Sequence, residues 1–312
     1  MASTQCELYM YTPSLALAII GVILFSALTT IHLYRMIESK AWFGIFFVLG
    51  GLAELIGHTA RSFSTQDVCD RGAYGVQSVA LLMGPTLIMF SVNMTQSEFV
   101  NVLDAEKFCL LPLAWQRGVY PAMNAILMVI QLVGGCMTIS SSSETVATGT
   151  KLSVALFVVQ TIFWGFTMAE NICMSYRLGR HPTTASSCVL ANWKTWNQLI
   201  PLAGYIIATG RNIMRLTMAG GIEFLVDYEW PSYAFDGYQM VVVLGAWGIW
   251  YLPGKCRELS TRAVLNVIDT ISFSYPLQQF IFALVSLSPY YFFLLSIFIS
   301  GGLKARLYHH RI

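Results

Sequence analysis

Apolar runs nearly free of charge recur along the whole chain, and no other feature constrains the fold as tightly. Eight stretches, 13–34, 41–53, 73–97, 118–143, 152–169, 195–210, 237–254 and 270–303, are almost devoid of Asp, Glu, Lys and Arg. A helix needs about 20 apolar residues to cross a bilayer, and most of these runs reach that length alone or with their flanks. Charged residues make up 11% of the chain, against roughly 25% in soluble domains. Open strands cannot satisfy their backbone groups in hydrocarbon. The expected fold is therefore all-α, a polytopic membrane helix bundle of seven transmembrane helices plus an eighth hydrophobic C-terminal segment. The membrane domain is expected over 1–255, with an extension over 256–312 that carries the hydrophobic segment 277–300. No polar stretch is long enough for a soluble domain.

The flank "MASTQCELYMYT" holds no Lys or Arg, and the first run is too long for a cleavable signal peptide. That flank should face outward, to the lumen or cell exterior, in the plasma membrane or the endoplasmic reticulum. With seven spans, the inner loops then hold Arg35, Lys40, Lys107, Arg117, Arg177, Arg180, Lys194, Lys255, Arg257 and Arg262. The outer segments hold Arg61, Arg71, Lys151, Arg211 and Arg215. Ten against five agrees with the positive-inside bias. The eighth run opposes it, because crossing would place Lys304, Arg306 and Arg311 outside. It is expected to span on length alone.

The seven cysteines contain no C-x-x-C, so no metal site is indicated, and no cofactor is called for. Cys6 and Cys69 both fall on the outer side, where a disulfide between them is expected. A net charge of +2 without a basic block points to no nucleic-acid partner. "NMT" at 93–95 matches a glycosylation sequon but lies inside the third run, so Asn93 should be unmodified.

Polar residues inside the apolar runs carry the functional signal. In "ELIGHTARS", Glu54, His58 and Arg61 are spaced four and then three apart, on one face of a helix. By the expected topology, these three lie in the outer half of the bundle. So do Gln77, Gln160, Arg211, Arg215, Glu229 and Asp236, while the outward-running fourth helix carries Asn124 and Gln131 before Gly134 and Gly135. Glu170 is the exception, towards an inner end. Arg61 and Arg215 are long enough to snorkel to water. Glu54 has little reach, and a lone carboxylate in a bilayer normally pairs, protonates or faces a wet cavity. Arg211 is its natural partner by depth. An outward-opening polar pocket between the second, sixth and seventh helices is therefore expected. The glutamines suit interhelical hydrogen bonds.

The order of these residues resembles the fungal lipid-translocating exporter family, the seven-helix resistance-to-aminocholesterol type. "YTPS" at 11–14 resembles its opening Tyr-x-Pro-Ser. Glu54, Gly57 and Arg61 fit Glu-x-x-Gly-Tyr-x-x-Arg, with His58 in place of Tyr. Gln77 and Pro85 fit its third helix, Gln131 with Gly134 and Gly135 its Gln-x-x-Gly-Gly, and Gly149 and Gln160 its fifth. Arg211, Arg215, Glu229, Tyr233, Asp236 and Met240 suit its sixth and seventh, and "LPG" at 252–254 stands where its last helix ends. Asn124, Met94, Glu98, Met218 and Leu252 depart from the pattern, and the eighth run lies outside it, which marks a divergent member.

The resemblance implies handling of lipids or lipophilic small molecules within a membrane: translocation, export or resistance to toxic amphiphiles. The substrate-binding residues would be Glu54, His58, Gln77, Gln131, Gln160, Arg211, Arg215, Glu229 and Asp236. No G-x-x-x-x-G-K-[ST] occurs, so transport would be passive or ion-coupled. The alternative is a membrane-embedded enzyme of a fungal secondary-metabolite pathway, such as a terpene cyclase. Glu54 or Asp236 would then be the catalytic acid. A tag at residue 1 should be reached only from the outer face in sealed cells; access from the cytosolic face alone would overturn the orientation.

Overall fold

The bundle inverts the pattern of a soluble protein. Ile19, Ile23, Ile126, Val129 and Ile162 are exposed, whereas Glu54, Arg61, Gln131, Gln160 and Arg211 are buried. Lipid is as apolar as leucine, so polar groups gather between helices instead of facing it. A computed structural model describes residues 9, 11–219 and 227–263; the segment 277–300 and Cys6 lie outside the described residues.

Among the described residues, five helices are long and apolar enough to cross a bilayer. They are α1 (Leu15–Ser39), α2 (Ile45–Ser64), α3 (Arg71–Val102), α4 (Leu113–Met137) and α5 (Ser143–Arg180). A sixth helical stretch, α6, covers 193–219 and includes a π-helical segment, Ile206–Asn212. A seventh, α7, covers 230–249 and opens with the π segment Ser232–Tyr238. A short helix follows as α8 (Leu252–Ala263).

Consecutive helices α1 to α5 pack side by side. Helix α6 lies against α3 and α5, and α7 closes the bundle against α1 and α6. The turns at 65–70 and 138–142 mark one end of the bundle, called the upper end below. The segments 40–44 and 103–112 mark the lower end.

Helix α3 is the hub, touching α2, α4, α6 and α8. Its closest approach is to α2. A side chain at Gly50 would sit 2.7 Å from Ile88 Cγ1 and 3.0 Å from the Gly84 carbonyl oxygen, so only glycine fits. The buried positions Phe47, Gly50, Gly51, Glu54, Gly57, His58 and Arg61 form the helical stripe that turns α2 inward. Asn93 is buried in α3, out of reach of a glycosylating enzyme.

Glu170 proves to be a loop anchor. Its Oε1 accepts from the Leu111 backbone N–H at 2.9 Å and from Gln116 Nε2 at 3.3 Å, tying the segment before α4 to α5. "LPG" does not end a helix. The chain turns at Trp250–Tyr251 and Leu252 starts α8, with Pro253 in the first turn, where its missing N–H costs nothing. The expected boundary at 255/256 thus falls inside α8, whose Cys256 and Leu259 belong to the main core. Cys69 is disulfide-bonded.

Candidate functional site

The upper half of the bundle holds two charged layers, stacked along α2. The upper one centres on Arg61, which is 3% exposed and does not snorkel. Its Nη2 donates to Glu229 Oε1 at 3.0 Å and to the Tyr11 hydroxyl at 2.9 Å. Its guanidinium carbon stands 4.5 Å from the centre of the Tyr233 ring. Glu229 also accepts from the Ser14 backbone N–H, which approaches its two oxygens at 2.9 and 3.0 Å. This layer therefore ties the start of α1, the end of α2 and the entry to α7 together. It accounts for "YTPS": Tyr11 supplies the acceptor for Arg61, and Ser14 supplies the donor for Glu229.

The second layer, deeper in the bundle, centres on Arg211. Its side chain is fully buried, and its Nε lies 3.1 Å from Asp236 Oδ1. Arg215, one turn on, pairs with the other oxygen, Asp236 Oδ2. Arg211 Nη2 also donates to the carbonyls of Leu81 and Leu82, at 3.1 and 3.2 Å. In an α-helix the Leu81 carbonyl would be bonded by the N–H of residue 85. Residue 85 is proline and has none, so Pro85 leaves an acceptor open inside α3 and Arg211 fills it. Arg211 and Asp236 sit in the two π segments, which touch each other. Single π turns recur at functional sites because they re-aim side chains.

Glu54 lies beside this layer. It is 0% exposed, and neither carboxyl oxygen receives a hydrogen bond from a described residue. The carboxyl group rests over Gly84: a side chain there would come 2.9 Å from Glu54 Cδ and closer still to Oε1. Asp236, Arg211 and Arg215 all lie within electrostatic reach of it. The expected Glu54–Arg211 pair is not formed, because Asp236 takes Arg211 instead. Depth along the helices said which groups could meet, not which side of α6 would face which neighbour. With Glu54 ionised, two arginines and two carboxylates cancel; with Glu54 protonated, one positive charge remains.

His58 bridges the two layers. Its Nδ1 is 2.9 Å from the Glu54 carbonyl oxygen, and its ring lies 4.9 Å from Phe25 and 6.1 Å from Tyr233. The glutamines do not join this group. Thr86 Oγ1 donates to Gln131 Oε1 at 2.5 Å, and Gln160 Nε2 donates to both at 3.2 Å. They form an uncharged interhelical cluster among α3, α4 and α5. Gln77 accepts from the Tyr9 hydroxyl at 2.6 Å near the upper end. Asn124 accepts weakly from Trp164 Nε1 at 3.4 Å. Tyr233 and Thr86 had no pairing signal in the sequence, whereas the Leu81 carbonyl had one. Pro85 was the clue to the last.

Residues 47–258 match the protein family described as RTA1 like protein. The chain is 25% identical over 276 residues to Protein RTA1 of Saccharomyces cerevisiae, covering 78% of this chain and 84% of that protein. It is 24% identical over 297 residues to the yeast Protoporphyrin uptake protein 1, covering 81% and 97%. A shorter match, 24% over 151 residues, is to the yeast Sphingoid long-chain base transporter RSB1, covering 47% of this chain and 39% of that one. No solved structure matches. The names of these relatives lend nothing to a cyclase.

Removing one partner from a buried ion pair strands the other charge, at a cost of about 3–5 kcal/mol. Asp236→Leu should therefore sharply lower the thermal midpoint of the purified protein. The double variant Arg211→Met/Asp236→Leu should recover much of that loss. Additive losses in a double-mutant cycle would show that the two side chains do not depend on each other.

Proposed function

Because the chain belongs to the RTA1-like family, we propose that it moves lipophilic amphiphiles through the membrane, taking their polar head group into the charged cluster at Glu54. Handling of lipids and other lipophiles is the common ground of the relatives named for a cargo. One of them is named as a transporter of sphingoid long-chain bases. Such a base joins an ammonium group to a long alkyl chain. The observation that carries the proposal is Glu54: a carboxyl group buried completely, hydrogen-bonded to no described side chain, and seated over a glycine. A buried carboxylate needs a partner, and an alkylammonium head group supplies both the charge and the donors it lacks. The alkyl chain would leave between helices into lipid.

Access would come from the upper, outward end, with the N terminus outside. The Arg61–Glu229–Tyr11 layer lies two turns above Glu54 on α2 and would act as the roof of an outward-opening pocket. Roof opening would part α2 from α7, where Arg61 and Glu229 are joined by one ion pair. We also propose Cys6 as the disulfide partner of Cys69.

Binding of dihydrosphingosine to the purified protein tests the proposal. Glu54→Gln should fold as the native protein does, yet bind the base at least about tenfold more weakly, a loss of about 1.4 kcal/mol. N-acetylated dihydrosphingosine, which has no charge, should bind both proteins equally poorly. Equal affinity of the native protein and Glu54→Gln for the free base would remove Glu54 from the binding site.

A further inference from the structure

We propose that a file of buried polar groups conducts protons from the lower end of the bundle to Glu54, so that the protein exchanges protons for its cargo. The file runs beside α2, about one turn per step, with Thr29 and His32 on α1 and the Glu54 carboxyl turned towards Gly84 of α3. Glu54 is its upper member. One turn below, Thr29 Oγ1 of α1 lies against Gly51, 2.5 Å from where a side chain would begin. A turn below that, the His32 ring stacks on Phe47, with ring centres 5.1 Å apart. Below His32, the Tyr251 ring stands 6.0 Å away, its hydroxyl directed at Gly44.

All four side chains are at least nine-tenths buried: Thr29 and Tyr251 are 6% exposed, Glu54 and His32 0%. Thr29 Oγ1, His32 Nδ1, the Tyr251 hydroxyl and both Glu54 oxygens have no hydrogen-bond partner among the described residues. Buried polar atoms normally find a hydrogen-bond partner. Water molecules between them would satisfy each in turn.

The chemistry of each group suits proton passage. His32 Nε2 lies 2.9 Å from the Leu244 carbonyl oxygen. A carbonyl can only accept, so Nε2 carries the hydrogen and Nδ1 is left as a bare acceptor. Threonine and tyrosine hydroxyls both accept and donate. At the foot of the file, Tyr251 lines an open cavity of 1020 Å³, together with Arg35, Glu38, Lys40, Trp196 and Lys255. Tyr251 thus stands between that cavity and His32, its hydroxyl buried against Gly44.

A proton taken up there would pass to His32 Nδ1, on through water and Thr29, and onto a Glu54 oxygen. Thr29 and Tyr251 each give up one proton as they receive one; His32 takes its proton on Nδ1, becomes cationic and releases it from the same atom, and no bond other than those to hydrogen changes. The charged groups facing Glu54 are Asp236 on α7 and Arg211 and Arg215 on α6. Tyr251 faces His32, and Arg35 of α1 faces Tyr251.

This inference rests on the proposed head-group role of Glu54. A proton and an alkylammonium group would compete for the same carboxylate, so protonation from below would release cargo above. Occupancy of the site by cargo would therefore follow the pH on the lower side.

The test uses the full chain in phosphatidylcholine vesicles, oriented by an N-terminal tag. Its readout is the infrared carbonyl band of protonated Glu54, identified by its absence in Glu54→Gln. A pH step on the lower side should protonate Glu54 quickly in the native protein. Tyr251→Phe and Thr29→Val keep shape and remove only a hydroxyl; each should slow that step, and His32→Phe should slow it by about a hundredfold. Unchanged rates in all three variants would overturn the file. So would a faster response to a step on the upper side. If His32→Phe fails to fold, the two hydroxyl variants decide. Dihydrosphingosine binding is measured on the same proteins. Loss of fast protonation with base binding intact supports the file. Fast protonation in a native protein that binds no base keeps the file and overturns the head-group reading alone.

Discussion

A guanidinium with no exposed surface sets the terms for this bundle. Buried in a membrane protein, Arg211 must be paired and hydrogen-bonded or the fold loses several kcal/mol. Asp236 supplies the charge, and the carbonyls of Leu81 and Leu82 supply the acceptors. One side chain thus pins α3, α6 and α7 together. The contact needs two unusual backbone features. Pro85 opens an acceptor in the middle of α3, and π segments in α6 and α7 carry Arg211 and Asp236.

Glu54 is what that arrangement leaves over. Arg211 and Arg215 both spend themselves on Asp236, so Glu54 balances the cluster's charge without being bonded to it. A carboxyl group in this position can take an outside cation, or a proton, at no cost in broken hydrogen bonds. Above it, Arg61 and Glu229 close the bundle with contacts to Tyr11 and Ser14. The layer proposed to bind and the layer proposed to close are therefore separate, two turns apart on α2.

Much of this was legible in the sequence, and the gaps have physical causes. The charge-free runs located the five long helices and the stretches that became α6 and α7, because hydrophobic length is a direct requirement of the bilayer. The π segments were not legible, since no residue pattern distinguishes one from a continuing α-helix. The spacing of Glu54, His58 and Arg61 put them on one face, and the cost of a lone carboxylate in lipid turned that face inward. Their partners were not legible. Helix depth cannot tell which face of α6 meets α7, so Arg211 was matched to Glu54 rather than Asp236. Arg61 was read as snorkelling because its acceptors are 50 and 168 residues away. Glu170, out of place by depth, is explained only by the loop it caps.

The relatives and the geometry meet at one point: a buried acid in a family with a member named for carrying sphingoid bases. The most direct measurement is photo-crosslinking with a sphingosine whose reactive diazirine sits beside the amino group, followed by peptide mapping. The account predicts labels on the facing turns of α2, α3 and α7 around Glu54, Gly84 and Asp236, removed by excess unlabelled sphingosine. Labels confined to the lipid-facing side chains of α1 and α5, insensitive to competitor, would contradict it.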